Sequence, residues 1–130
     1  MAEPLEIVRQ VAQRWNAGDM EGLLELYHDD VTVQTSEHWP EHQVLQGKDA
    51  FRESIDEWLS VWESIEVETD HVEAYSDRVV ALGAWKSTGR LSGVEGEMPI
   101  HIVFTVRDGK IARVDWCADH EQAVAAARGT

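Results

Sequence analysis

The chain is short of several things, and each shortage closes off a class of protein. It has a single cysteine, Cys117, so no intrachain disulfide can form. It has 11 basic residues against 25 acidic ones, a net charge of −14. Nucleic acid and anionic membrane surfaces both require a cationic footprint, so neither is expected as a partner. The acidic surplus reads as solubility. No apolar run approaches the ~18 residues that span a bilayer. The N-terminal MAEPLEIV has no basic segment leading into an apolar one, so no signal peptide is expected. Together these features predict a cytoplasmic chain. There is no internal repeat, low-complexity tract or linker. Phosphate-binding loops are missing too, since Gly93, Gly96 and Gly109 read as turn residues. No cofactor or metal is expected. At 130 residues and 43% hydrophobic content, one globular domain over 1–130 remains, large enough for a single core.

What is present is a clear order of elements. Pro4 suits the first turn of a helix, and Leu5, Val8, Ala12 and Trp15 follow at helical spacing with Val11 beside them. Asn16-Ala17-Gly18 ends that helix, with Gly18 as a left-handed cap, and Asp19 caps a second one. The second helix carries Met20, Leu23, Leu24 and Tyr27 as its apolar stripe. Val31, Val33 and Thr35 alternate as a short strand, and a loop runs from Ser36 to Gln46. A third helix is predicted from Lys48 to Trp62, with Phe51, Ile55, Trp58, Leu59 and Trp62 on one face. From Ile65 onward the pattern is a β meander: Ile65 and Val67, then Arg78 to Ser87, Met98 to Val106, and Ile111 to Cys117. A last helix begins near Asp119 and covers Glu121 to Arg128. Helices followed by an antiparallel sheet predict an α+β fold.

The hairpin register decides which side chains meet. Arg107-Asp108-Gly109 predicts a three-residue loop, a type I turn with a glycine bulge. That loop pairs Ile100 with Trp116, Ile102 with Val114 and Phe104 with Ala112 on one apolar face. The other face pairs Val103 with Arg113 and His101 with Asp115. On the preceding strand, Arg78, Val80 and Leu82 are assigned inward, and Val79, Ala81 and Trp85 outward to a dimer face.

RWNAGDMEGLLELYHDDVTV, QGKDAFRESIDEW, DRVVALGAW and FTVRDGKIARVDW, in that order, resemble the SnoaL-like branch of the nuclear transport factor 2-like superfamily over nearly the whole chain. The resemblance implies a cone: a curved antiparallel sheet with N-terminal helices over an apolar pocket. It also implies a homodimer, through the outer face of the sheet. The family's enzymes include ketosteroid isomerase, limonene epoxide hydrolase and polyketide cyclases, beside binding modules without chemistry. Ketosteroid isomerase's Tyr would fall at Val11, its Asp base at Thr35 and its second acid at Ile102, or at His101 with a one-residue slip. The Asp, Arg, Asp set of limonene epoxide hydrolase would fall at Val80, Arg78 and Trp116, with Asp115 adjacent. Of these only Arg78 is retained, and a bulge before Trp116 would turn Asp115 inward.

Three residues are the candidates for chemistry: Arg78, His38 and Tyr27. Arg78 is either a buried cation paired with Asp115, Glu73 or a ligand carboxylate, or a strand-edge arginine reaching water. His38 beside Glu37 makes an acid–base pair or part of a solvated loop; Pro40 between His38 and His42 argues against a helical zinc pair. Tyr27 is a core residue with its hydroxyl at the pocket rim. The pocket candidates are Trp15, Val33, Thr35, Trp39, Trp58, Trp62, Val80, Leu82, Ile100, Ile102, Val114 and Trp116. The tryptophans serve as core filling or as an aromatic wall for a flat ligand. Two function classes follow. One is a cofactor-independent lyase, isomerase, cyclase or hydrolase acting on a small hydrophobic molecule. The other is a non-catalytic binding module or homodimeric interaction domain.

Overall fold

Six strands form one curved, unclosed sheet in the order β2-β1-β6-β5-β4-β3. The computed structural model describes residues 4–34, 44–75, 77–89, 95–117 and 119–128, without the side chains at 58, 61–64 and 89. Two helices lead, α1 (Pro4–Asn16) and α2 (Met20–Glu25). After them come β1 (Tyr27–Gln34), β2 (Val44–Gln46) and α3 (Lys48–Val61). The sheet is completed by β3 (Trp62–Tyr75), β4 (Arg78–Gly89), β5 (Glu95–Arg107) and β6 (Lys110–Trp116), and α4 (His120–Arg128) closes the chain.

Local chemistry sets the helix ends as the sequence suggests. Gly18 takes φ +75°, a left-handed conformation that ends α1. Asp19 caps α2, its side chain accepting from the Gly22 amide at 3.0 Å. α1 buries Ile7, Val8 and Trp15 against the sheet, and its C-terminal end is tied to β3 by hydrogen bonds from Trp15 and Asn16. The main core lies between these helices, α3 and the inner face of the sheet. A second, smaller cluster lies on the outer face, where Ala123 and Ala127 of α4 cover Val80 and Val103.

Several elements differ from the sequence expectation. Tyr27 opens β1 rather than closing α2, because α2 stops at Glu25. Val44–Gln46, expected as loop, adds an edge strand to β1. Trp62 starts β3 instead of ending α3. β1 runs parallel to β6, the one parallel pair among the described residues.

The β5–β6 hairpin has a two-residue loop, not three. Asp108 and Gly109 both have positive φ, 54° and 78°, and Arg107 pairs with Lys110. Such a turn suits the right-handed twist of the flanking strands. A bulge then absorbs one residue, since Val106 pairs with Ile111 and Thr105 with Arg113, leaving Ala112 extra. The bulge restores the apolar face that a two-residue loop alone would scramble. Phe104 therefore pairs with Val114 and Ile102 with Trp116. His101 does not pair with Asp115; its carbonyl accepts from the Cys117 amide at 2.7 Å, and Asp115 faces Val103.

This register also corrects the faces of β4. Val79 pairs with Phe104 and Ala81 with Ile102, so Val79, Ala81 and Trp85 face inward. Arg78, Val80 and Leu82 take the opposite face, under α4.

Candidate functional site

An apolar cavity of about 70 Å³ lies between the helices and the inner face of the sheet. The helices contribute Val8, Val11, Ala12 and Trp15 from α1, Leu23 from α2 and Phe51 from α3. The sheet contributes Tyr27, Val67, Thr69, Ala81, Trp85, Ile100, Ile102, Phe104, Val114 and Trp116. Three tryptophans make a chain along this wall. Trp15 and Trp85 have ring centroids 5.8 Å apart at 44°, and Trp85 and Trp116 are 5.8 Å apart at 69°. Such tilted contacts match the quadrupoles of the rings. Tyr27 and Phe51 make a third contact at 5.0 Å.

The electrostatics of the cavity are simple. No charged side chain and no histidine lines it among the described residues. Its two hydroxyl groups belong to Thr69, which is exposed, and Tyr27, which is only 3% exposed. Burial pushes the Tyr27 phenol well above its ordinary value, so it stays protonated across the physiological range. Trp15, by contrast, spends its indole N–H on the Ile65 carbonyl at 3.1 Å.

Of the candidates read from the sequence, Trp15, Tyr27, Ile100, Ile102, Val114 and Trp116 come together around the cavity. Val33 is buried in the same core beside Val114 but is not part of the cavity wall. Thr35, His38 and Trp39 lie outside the described residues, as do the side chains of Trp58 and Trp62.

Arg78, Val80 and Leu82 are corrections: they sit on the far side of the sheet from the cavity. Arg78 donates from Nη1 to the Ala126 carbonyl at 2.5 Å, near the C-terminal end of α4. A cation suits that negative end of a helix. The partners expected for Arg78 are otherwise engaged. Asp115 accepts from Arg113 Nε at 2.9 and 3.1 Å. Glu73 accepts from the Tyr75 hydroxyl at 2.9 Å and lies 3.0 Å from His71 Nε2, contacts that hold its carboxyl below the usual range.

Residues missing from the sequence reading of the site include Ala81 and Trp85, which were assigned outward, and Phe51, Val67 and Phe104. Only the cross-strand pairing of Ala81 with Ile102, a tertiary contact, places β4. A wider groove of about 360 Å³ on the outer face is lined by Gln34, Arg78, Arg113, Asp115 and Gln122. It is polar, with Arg113 paired to Asp115 and Arg78 bonded to the Ala126 carbonyl, so the apolar cavity is the better ligand site despite its size. No His, Cys, Asp or Glu cluster suited to a metal occurs among the described residues.

A curved, unclosed sheet with an apolar chamber beneath its leading helices defines an α+β fold of the cystatin-like and NTF2-like type. The chain belongs to the SnoaL-like domain family, which it matches over residues 8–114. Solved structures of similar shape agree. One is an NTF2-like protein of unknown function from Burkholderia pseudomallei, 16% identical over 95% of this chain and 96% of that one, with a TM-score of 0.80. TerC, crystallised with polyporic acid, is 20% identical over 99% and 100%, with a TM-score of 0.79. A proposed polyketide cyclase from Xanthomonas campestris pv. campestris is 19% identical over 95% and 96%, with a TM-score of 0.78. No curated protein matches the sequence. Among the described residues no helix is long and apolar enough to cross a membrane.

Proposed function

We propose that the whole chain is one SnoaL-like domain that takes up a small hydrophobic molecule in the cavity and acts on it without a cofactor, as a lyase, isomerase, cyclase or hydrolase. The observation that carries this reading is the wall of Trp15, Trp85 and Trp116 around an apolar space with one buried hydroxyl. Large aromatic surfaces and a few polar groups are what a small-molecule site offers. The proposed cyclase and the polyporic acid complex among the similar structures favour the same class of ligand.

The second reading is a binding module without chemistry. It is favoured by one fact: among the described residues, nothing that lines the cavity can act as a general base. Residues at 35, 38 and 39 lie outside that description, and His38 remains the candidate base. The protein is read as cytoplasmic and as a homodimer through the outer face of the sheet. Since α4 covers Val80 and Val103, the dimer would use the part of that face formed by β1 and β6.

A thermal-shift screen of steroids, terpenoid epoxides, polyketide mimics including polyporic acid, and fatty acids tests the reading. A ligand at about 100 times its Kd stabilises the fold by roughly 2.7 kcal/mol. Turnover of a hit well above background decides for the enzyme, and binding without turnover decides for the module. Stabilisation that survives filling of the cavity with a larger side chain at Ala81 would move the site elsewhere.

A further inference from the structure

Tyr27 is buried to 3% exposure on the cavity wall, and its hydroxyl has no hydrogen-bond partner among the described residues. Every fully occluded side-chain nitrogen or oxygen among those residues does have one. The unpaired oxygen therefore borders open space, and the cavity is the space that Tyr27 lines. A buried hydroxyl without a partner costs stability, whereas phenylalanine would fill the same volume and keep the ring contact to Phe51 at no such cost. Folding thus gives no account of this oxygen. Burial also keeps the phenol protonated, so the group presents a donor rather than an anion.

The rest of the wall limits what can accept that proton. No lysine, arginine or histidine lines the cavity among the described residues, so a carboxylate or phosphate brought inside would lose its water without compensation. The space, about 70 Å³, is less than half the ~150 Å³ of an apolar cavity that takes benzene, so the part of a ligand that enters it is smaller than a ring. The tryptophan chain suits a flat body.

We infer that Tyr27 Oη is the hydrogen-bond donor of this site, and that its ligand class is a neutral apolar molecule that places a carbonyl-bearing end, smaller than a ring, in this space. The inference rests on the cavity reading above and names the ligand chemistry for it.

Acetophenone and α-methylstyrene test it, because they share one shape and differ in a carbonyl against a methylene. Each is titrated by tryptophan fluorescence into the wild-type protein, Tyr27→Phe and Ala81→Leu, with the melting temperature of each protein recorded. The expected result is that the wild type holds the ketone about tenfold more tightly than the hydrocarbon. Tyr27→Phe is expected to melt no lower than the wild type and to lose that preference by weakening the ketone alone. Ala81→Leu, which fills the cavity, is expected to lose both ligands. Equal wild-type affinity for the two probes, with both lost in Ala81→Leu, overturns the donor role and leaves the cavity reading standing. A ketone preference that persists in Tyr27→Phe also overturns it. So does a lower melting temperature for Tyr27→Phe, which would give the hydroxyl to folding. Binding of neither probe, or binding untouched by Ala81→Leu, overturns both readings.

Discussion

Asn16 grips Val67 by both ends of its backbone. Asn16 Nδ2 donates to the Val67 carbonyl at 2.8 Å, and Asn16 Oδ1 accepts from the Val67 amide at 2.9 Å. The side-chain amide thus acts as a short piece of neighbouring strand on β3, which is an edge of the sheet. Edge strands with open N–H and C=O groups invite pairing with other chains, and this contact covers one such pair. Together with Trp15 it fixes α1 over the cavity.

Asn16→Ala removes both bonds at once and is expected to cost about 1–2 kcal/mol. Urea denaturation measures this directly. Increased self-association at high concentration should accompany it, seen by light scattering. An unchanged midpoint would mean that the pair contributes nothing to holding α1.

Gly83→Ala tests the close approach of β3 and β4. A Cβ at Gly83 would stand 1.9 Å from the Glu68 carbonyl oxygen, which belongs to the backbone and cannot swing away. The strands would have to part there, beside the bulge between Thr69 and His71. A loss of about 1–3 kcal/mol is expected. Gly96→Ala is the control, since its nearest neighbour would be Ser87 Oγ at 3.5 Å, and it should be near neutral.

Arg78→Ala separates the two faces of the sheet. Loss of its bond to the Ala126 carbonyl should loosen α4, at about 1 kcal/mol, with faster hydrogen exchange across that helix. Affinity for any ligand of the cavity should not change, because Arg78 is on the other side of the sheet. A fall in affinity with α4 protection intact would return Arg78 to the site.

Cys117 should be slow to alkylate. Burial, with Asp115 and Asp119 nearby, pushes its thiol up to about 11. Below that value the thiol is protonated and unreactive. At pH 8 its reaction with iodoacetamide should be about two orders of magnitude slower than for an unperturbed thiol, and should rise with each pH unit toward 11. Rapid labelling of the native protein at pH 8 would contradict this.

Much of the fold could be read from particular residues. The caps at Gly18 and Asp19 and the helical stripe of Val8 and Trp15 depend on residues a few positions apart, so local sequence specifies them; Asp108-Gly109 marked a turn but not its length. The apolar faces of β5 and β6 were legible as faces, although the pairing between them was not. A two-residue turn with a bulge at Ala112 and a three-residue turn without one present almost the same apolar pattern. Only the bonds across the ladder distinguish them.

The sequence by itself determined the α+β order, the acidic surface, the lack of a disulfide and the apolar stripes that make a single core. These depend on composition and on periods of two and 3.6 residues. The tertiary structure decided which way β4 faces, and with it that Trp85 rather than Arg78 meets the cavity. It also decided that Tyr27 begins a strand and turns its ring into the core. Those outcomes depend on register between strands far apart in the chain, where a shift of one residue moves every side chain to the opposite face.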